Sequence, residues 1–125
     1  MSLTYSETRD INKISNAWTS DGSGDSAEET KSVSGVIERV VFIPGTGGDQ
    51  PTAAYDVTVL DEDGIDVLAG IGANLANNAD TQNVPALGTY FKVAVDGKLT
   101  FTVANAGANN AGEIHVYLSK RRIMG

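Results

Sequence analysis

The sequence predicts an all-β protein, a β-sandwich of jelly-roll type with an extended N-terminal arm and a short C-terminal tail. Three features point there. Apolar residues alternate with polar ones in about seven or eight short runs, turn-forming Gly, Asp, Asn and Pro recur at intervals of about ten residues, and no stretch carries the period of an amphipathic helix. The 14 glycines against 3 prolines fit short strands joined by tight turns. At 125 residues and 13.0 kDa the chain is the size of one domain. The expected division is an arm over residues 1–10, a sandwich over 11–119 and a basic tail over 120–125.

Each element has its own signal. In "INKISNAWTS" Ile14 and Trp18 alternate with polar neighbours, so a strand is expected before the turn at "SDGSGD". Residues 20–32 hold Gly, Ser, Asp and Glu with little to bury, and are expected to form an exposed connection. "VSGVIERVVFIPG" is rich in β-branched residues and predicts a long central strand, ended by Pro44 and Gly45. Adjacent Glu38 and Arg39 point to opposite faces, which calls for a bend, a bulge or one strand end outside the core.

In the second half, Tyr55, Val57 and Val59 alternate with Asp56 and Thr58, and Ile65, Val67 and Ala69 continue the pattern beyond "LDEDG". A hairpin with an acidic tip is expected there. "GIGANLANNADTQNVPALG" reads as a long loop or short helical turn. Phe91, Val93 and Val95 lead to Asp96-Gly97, followed by Leu99, Phe101 and Val103, a second expected hairpin. Ile114, Val116 and Leu118 make the last strand.

Charge and composition narrow the function. A net charge of -7 opposes binding through phosphates, so nucleic acid is not expected as a partner. The absence of cysteine removes disulfides, thiolate metal sites and cysteine nucleophiles. No apolar run approaches the roughly 20 residues that span a bilayer, and no amphipathic helix suggests a membrane surface. The N-terminus lacks a basic region followed by an apolar stretch, so synthesis in a cytoplasm with a start near Met1 is expected.

Asp61, Glu62 and Asp63 raise the question of a metal site or a catalytic carboxylate pair. Calcium loops of the EF-hand kind space their ligands at alternate positions and end in Glu, whereas here the next acid is Asp66. Adjacent acids at a solvated tip also lack the asymmetry of an acid and base pair. A charged turn around Gly64 is the expectation, with a cation on Asp61, Asp63 and Asp66 as the minor alternative. "PGTGGDQPT" lacks the Lys-Ser or Lys-Thr of a phosphate loop. His115 alternates away from the apolar set and has no serine elbow to serve, so a surface or interface role is expected. Trp18, Tyr5, Tyr55, Tyr90 and Tyr117 could form a sugar platform, but core and edge packing is the stronger reading. No enzyme, cofactor or metal is expected.

The order "AWTSDGSG", then "TKSVSGVIERVVFIPGTGGDQPTAAYDVTVLDEDGIDVLAGIGANL", then "VAVDGKLTFTVANAGANNAGEIHVYL" resembles small β-rich decoration or cement proteins of tailed bacteriophages over residues 18–118. That resemblance implies a non-enzymatic virion protein on the capsid surface, made in the host cytoplasm, bound to the major capsid protein and to copies of itself as a dimer or trimer. The rival class is a carbohydrate-binding or accessory module of a tail or fibre. Leu3 and Tyr5 in the arm and Arg121, Arg122 and Ile123 in the tail are the candidate partner contacts, as apolar and basic residues outside the expected sandwich.

Overall fold

The computed structural model describes residues 2–83, 86–87, 90–91 and 93–120. Among them are the strands β1 (Ser2–Glu7), β2 (Ile11–Thr19), β3 (Ser26–Glu29), β4 (Val33–Pro44), β5 (Asp56–Leu60), β6 (Thr81–Asn83), β7 (Ala86–Leu87), β8 (Tyr90–Phe91), β9 (Ala94–Gly97), β10 (Thr100–Ala104) and β11 (Ala111–Ser119). The only described helix is a 3-10 turn at Gly47–Asp49. The protein is all-β, with its main strands in two curled antiparallel sheets, as a β-sandwich requires.

The larger sheet runs β1-β2-β11-β4-β6, with β9 also on β4; the smaller runs β3-β10-β5. Strand alternation explains the layering. Ile14 and Trp18 from β2, Val40 and Phe42 from β4, and Ile114, Val116 and Leu118 from β11 all turn inward. They meet Val57, Val59, Phe101 and Val103 of the smaller sheet in one buried cluster. Trp18 and Tyr55 touch across the sheets, with ring centroids 5.7 Å apart. Burial pushes the Tyr55 phenol up to about 12, helped by the charge of Asp80. Asn16, also buried, donates from Nδ2 to Glu28 Oε1 at 2.9 Å, a polar tie from β2 to β3.

The long strand expected at 33–45 is β4, and Glu38 and Arg39 mark a bulge in it. Tyr117 faces Arg39 while Leu118 faces Ile37, which leaves Glu38 as the extra residue. The slip lets both Ile37 and Val40 turn inward although they are three residues apart.

Five local expectations change. The stretch expected as a long loop or short helical turn at 70–88 contributes β6, which pairs with β4 in the larger sheet, and the two-residue β7. Residues 2–7, expected in an arm, form β1 and pair with β2 from Ser2↔Ala17 to Glu7↔Asn12. The connection at 20–32 contains β3, which pairs with β10. Asp96-Gly97 closes no hairpin: β9 pairs with β4 in the larger sheet, and β10 lies between β3 and β5 in the smaller. There the chain crosses between sheets, a step that alternation cannot register because both strands keep their period of two.

The last change concerns residues 65–75. They form turns, not the return strand of a hairpin, with single bridges at Leu60↔Asp66 and Tyr55↔Leu75. They still cover the free edge of β5, because Val67 donates to the Val59 carbonyl, Val57 to that of Gly72 and Leu75 to that of Tyr55. Val67, Leu68 and Leu75 are buried, whereas Ile65, expected to share that buried face, is 61% exposed.

Candidate functional site

The acidic turn is built by its own carboxylates. Asp61 Oδ1 accepts from the N–H groups of Asp63 at 2.9 Å and Ile65 at 3.0 Å, and Gly64 adopts φ 79°. Asp66 is spent on the backbone too: Oδ1 accepts from Val59 and Leu68, and Oδ2 from Gly70. The carboxylates therefore act as turn acceptors, the role to which short acidic side chains are suited. No group of three metal-ligating side chains lies together among the described residues.

An unequal response to mutation follows from those bonds. Asp66→Ala is expected to cost about 1–3 kcal/mol in urea unfolding, since it orphans the amides of buried Val59 and Leu68. Asp61→Asn keeps the accepting oxygen and is expected to stay within about 0.5 kcal/mol of wild type, as does a chelator-treated sample. A larger loss for Asp61→Asn, or a chelator-induced fall in melting temperature, would restore the cation reading.

The other candidate is the outward face of the larger sheet. Register sets Lys13, Tyr117 and Arg39 in one row, Ser15, His115 and Val41 in the next, and Ala17, Glu113 and Ile43 in a third. Lys13 Nζ lies 5.5 Å and Arg39 Cζ 4.3 Å from the Tyr117 ring centre. Desolvation raises the Tyr117 phenol, but hydrogen bonds and charge from Arg39 and Lys13 outweigh it and hold the group below its ordinary value. His115 Nε2 meets Glu113 Oε1 at 2.9 Å. His115 thus stands on the outward face, with a carboxylate neighbour two residues away on the same strand. Two cations stacked on an aromatic ring, flanked by Val41 and Ile43, make a contact surface suited to a protein partner.

The remaining candidates fall in different places. Leu3 and Tyr5 are half-buried and pack against the core, and the Tyr5 hydroxyl accepts from the Lys31 N–H at 3.1 Å. The reason for singling them out, a position outside the sandwich, does not hold. Arg121, Arg122 and Ile123 lie outside the described residues. Trp18 and Tyr55 are each 1% exposed, so neither can stack on a sugar. The cationic row around Tyr117 was missed in the sequence because Lys13, Arg39 and Tyr117 come from three strands. Their outward positions are legible from alternation, but their adjacency depends on strand order and on the bulge at Glu38.

Comparison with known proteins yields neither a matching family model nor a matching curated relative. The class defined by fold and geometry is an all-β protein of two antiparallel sheets with a mixed cationic, aromatic and aliphatic patch on the larger one.

Proposed function

We propose that the protein is a non-enzymatic virion structural protein, a jelly-roll decoration protein that binds the major capsid protein shell of a tailed bacteriophage. The observation that carries this reading is the order in which the chain fills its sheets. After β1 and β2 in the larger sheet it visits the smaller at β3, the larger at β4, the smaller at β5 and along its edge at 65–75, the larger at β6 and, past the separate β7–β8 pair, at β9, then the smaller at β10 and the larger at β11. Within the larger sheet β2 and β4 flank β11, and within the smaller β3 and β5 flank β10. That winding supports a jelly roll, an architecture used by capsid and lectin domains alike. The step from winding to role is a fold-level analogy. The resemblance of residues 18–118 to phage decoration proteins favours the capsid role.

The outward patch around Tyr117 supplies a surface for the shell, and the net charge of -7 keeps many copies soluble while they crowd it. The lectin-like alternative loses weight because Trp18 and Tyr55 are interior. Co-sedimentation with empty expanded capsids of the encoding phage tests the proposal. Saturable binding is expected, and Lys13→Glu with Tyr117→Ala should weaken it by about tenfold, the scale of one aromatic anchor and its charge. Failure to sediment with capsids, or binding confined to tails or glycans, would reject it.

A further inference from the structure

We infer that β1 is a self-association edge, along which two copies join their larger sheets into one continuous sheet about a two-fold axis at Thr4. This pairing requires nothing of the capsid role.

The edges of the described sheets are not alike. The free side of β5 is covered by residues 65–75. The free side of β3 is four residues long and carries Glu28 and Glu29, the kind of charge that discourages a further strand. By contrast β1, "SLTYSE", is six residues long, pairs with β2 without a register break, and has neither Pro nor Lys. It ends the sheet order, so one side of it is open.

Hydrogen-bond parity identifies which groups face out. The Thr8 N–H donates to the Ile11 carbonyl at 2.8 Å, which makes these residues a hydrogen-bonded pair at the end of the β1–β2 ladder. Such pairs alternate along an antiparallel ladder. Ser6, Thr4 and Ser2 therefore turn their backbone groups toward β2, and Leu3, Tyr5 and Glu7 turn theirs to the open side.

A second antiparallel β1 must keep inward residues opposite inward residues, because side chains alternate between faces. Centring the pair on Thr4 sets Leu3 against Tyr5 of the second copy and, by symmetry, Tyr5 against Leu3. On the outward face Thr4 meets Thr4 and Ser6 meets the position of Ser2. Apolar meets apolar, hydroxyl meets hydroxyl, and Leu3 and Tyr5 exchange about four backbone hydrogen bonds through groups that already point outward. Centring on Tyr5 instead would set Leu3 against Glu7, an apolar side chain against a charge. The strand is thus self-complementary in one register, as a two-fold interface demands. The match also accounts for half-buried Leu3 and Tyr5 at the sandwich margin: a second copy would complete their burial.

Edge pairing alone buries less than a standard interface, so dimers are expected to form at about 0.1–1 mM in isolation. Light scattering or sedimentation over that range should give a mass rising from 13.0 kDa toward twice that value. Thr4→Lys puts like charges face to face on the axis and should raise the dissociation constant by about tenfold or more. Because the chain has no cysteine, Thr4→Cys offers a register test. Under mild oxidation it should give a disulfide-linked dimer, whereas Ser6→Cys, which faces Ser2 instead of itself, should remain monomeric on the same timescale. A monomer at about 1 mM, a trimer by mass, unchanged association of Thr4→Lys, or equal crosslinking of the two cysteine variants would each overturn the inference. The cysteine comparison decides the case if Thr4→Lys fails to fold.

Discussion

Trp18→Ala is expected to cost about 3–5 kcal/mol of folding stability, a large part of what a domain of this size possesses. The indole is 1% exposed, and its ring lies against Tyr55 at an interplanar angle of 44°, so it joins the larger sheet to the start of the smaller one. The space it fills is shaped for it. On the neighbouring strand Gly112 lies opposite Trp18, and a Cβ there would stand 2.6 Å from the indole ring. Truncation leaves a cavity that the paired strands around it cannot close without breaking ladder bonds. Trp18→Phe should cost less, because it keeps a ring against Tyr55 and removes a buried Nε1 with no partner among the described residues. Urea unfolding followed by circular dichroism measures both variants. A loss below about 1 kcal/mol for Trp18→Ala would mean that the sheets do not close on this side chain.

Gly72→Ala is expected to be the most damaging single-methyl change, at about 3 kcal/mol, the upper range for overpacking. Gly72 is buried in the turn segment that covers β5, and its carbonyl accepts from the Val57 N–H at 2.7 Å. A Cβ at this position would overlap the Val57 carbonyl oxygen and press on Leu68 Cδ1. Relief requires residues 65–75 to lift away from β5. The signature is therefore local as well as global: the Val57, Val67 and Leu75 amides should lose hydrogen-exchange protection together. Protection unchanged at these amides would show that the segment does not depend on close backbone approach at Gly72.

Much of the fold was legible because alternation is a local property. Ile14 and Trp18 in β2, Val57 and Val59 in β5, and Ile114, Val116 and Leu118 in β11 face the core as their spacing predicts. The Glu38-Arg39 pair advertised an irregularity that the register places at Glu38. What misled was the partner of each strand. Asp96-Gly97 has the composition of a hairpin turn, yet it sits where the chain leaves one sheet for the other. The pattern of Ile65, Val67 and Ala69 continued past the acidic turn, yet Asp66 draws the backbone into turns by accepting three N–H groups.

The candidate surfaces divide the same way. The fate of "LDEDG" could be read in advance, because a turn of short acids around a glycine is a matter of neighbouring residues. The row of Lys13, Tyr117 and Arg39 could not, since their separation along the chain carries no information about which strands lie side by side. By itself the sequence determined the all-β class, the inward faces of β2, β5, β10 and β11 and the acidic turn, all set by interactions over a few residues. Only the tertiary structure decided that residues 65–75 close the edge of β5, which cations meet Tyr117 and that β1 ends the larger sheet, because pairing between distant segments depends on packing the whole core.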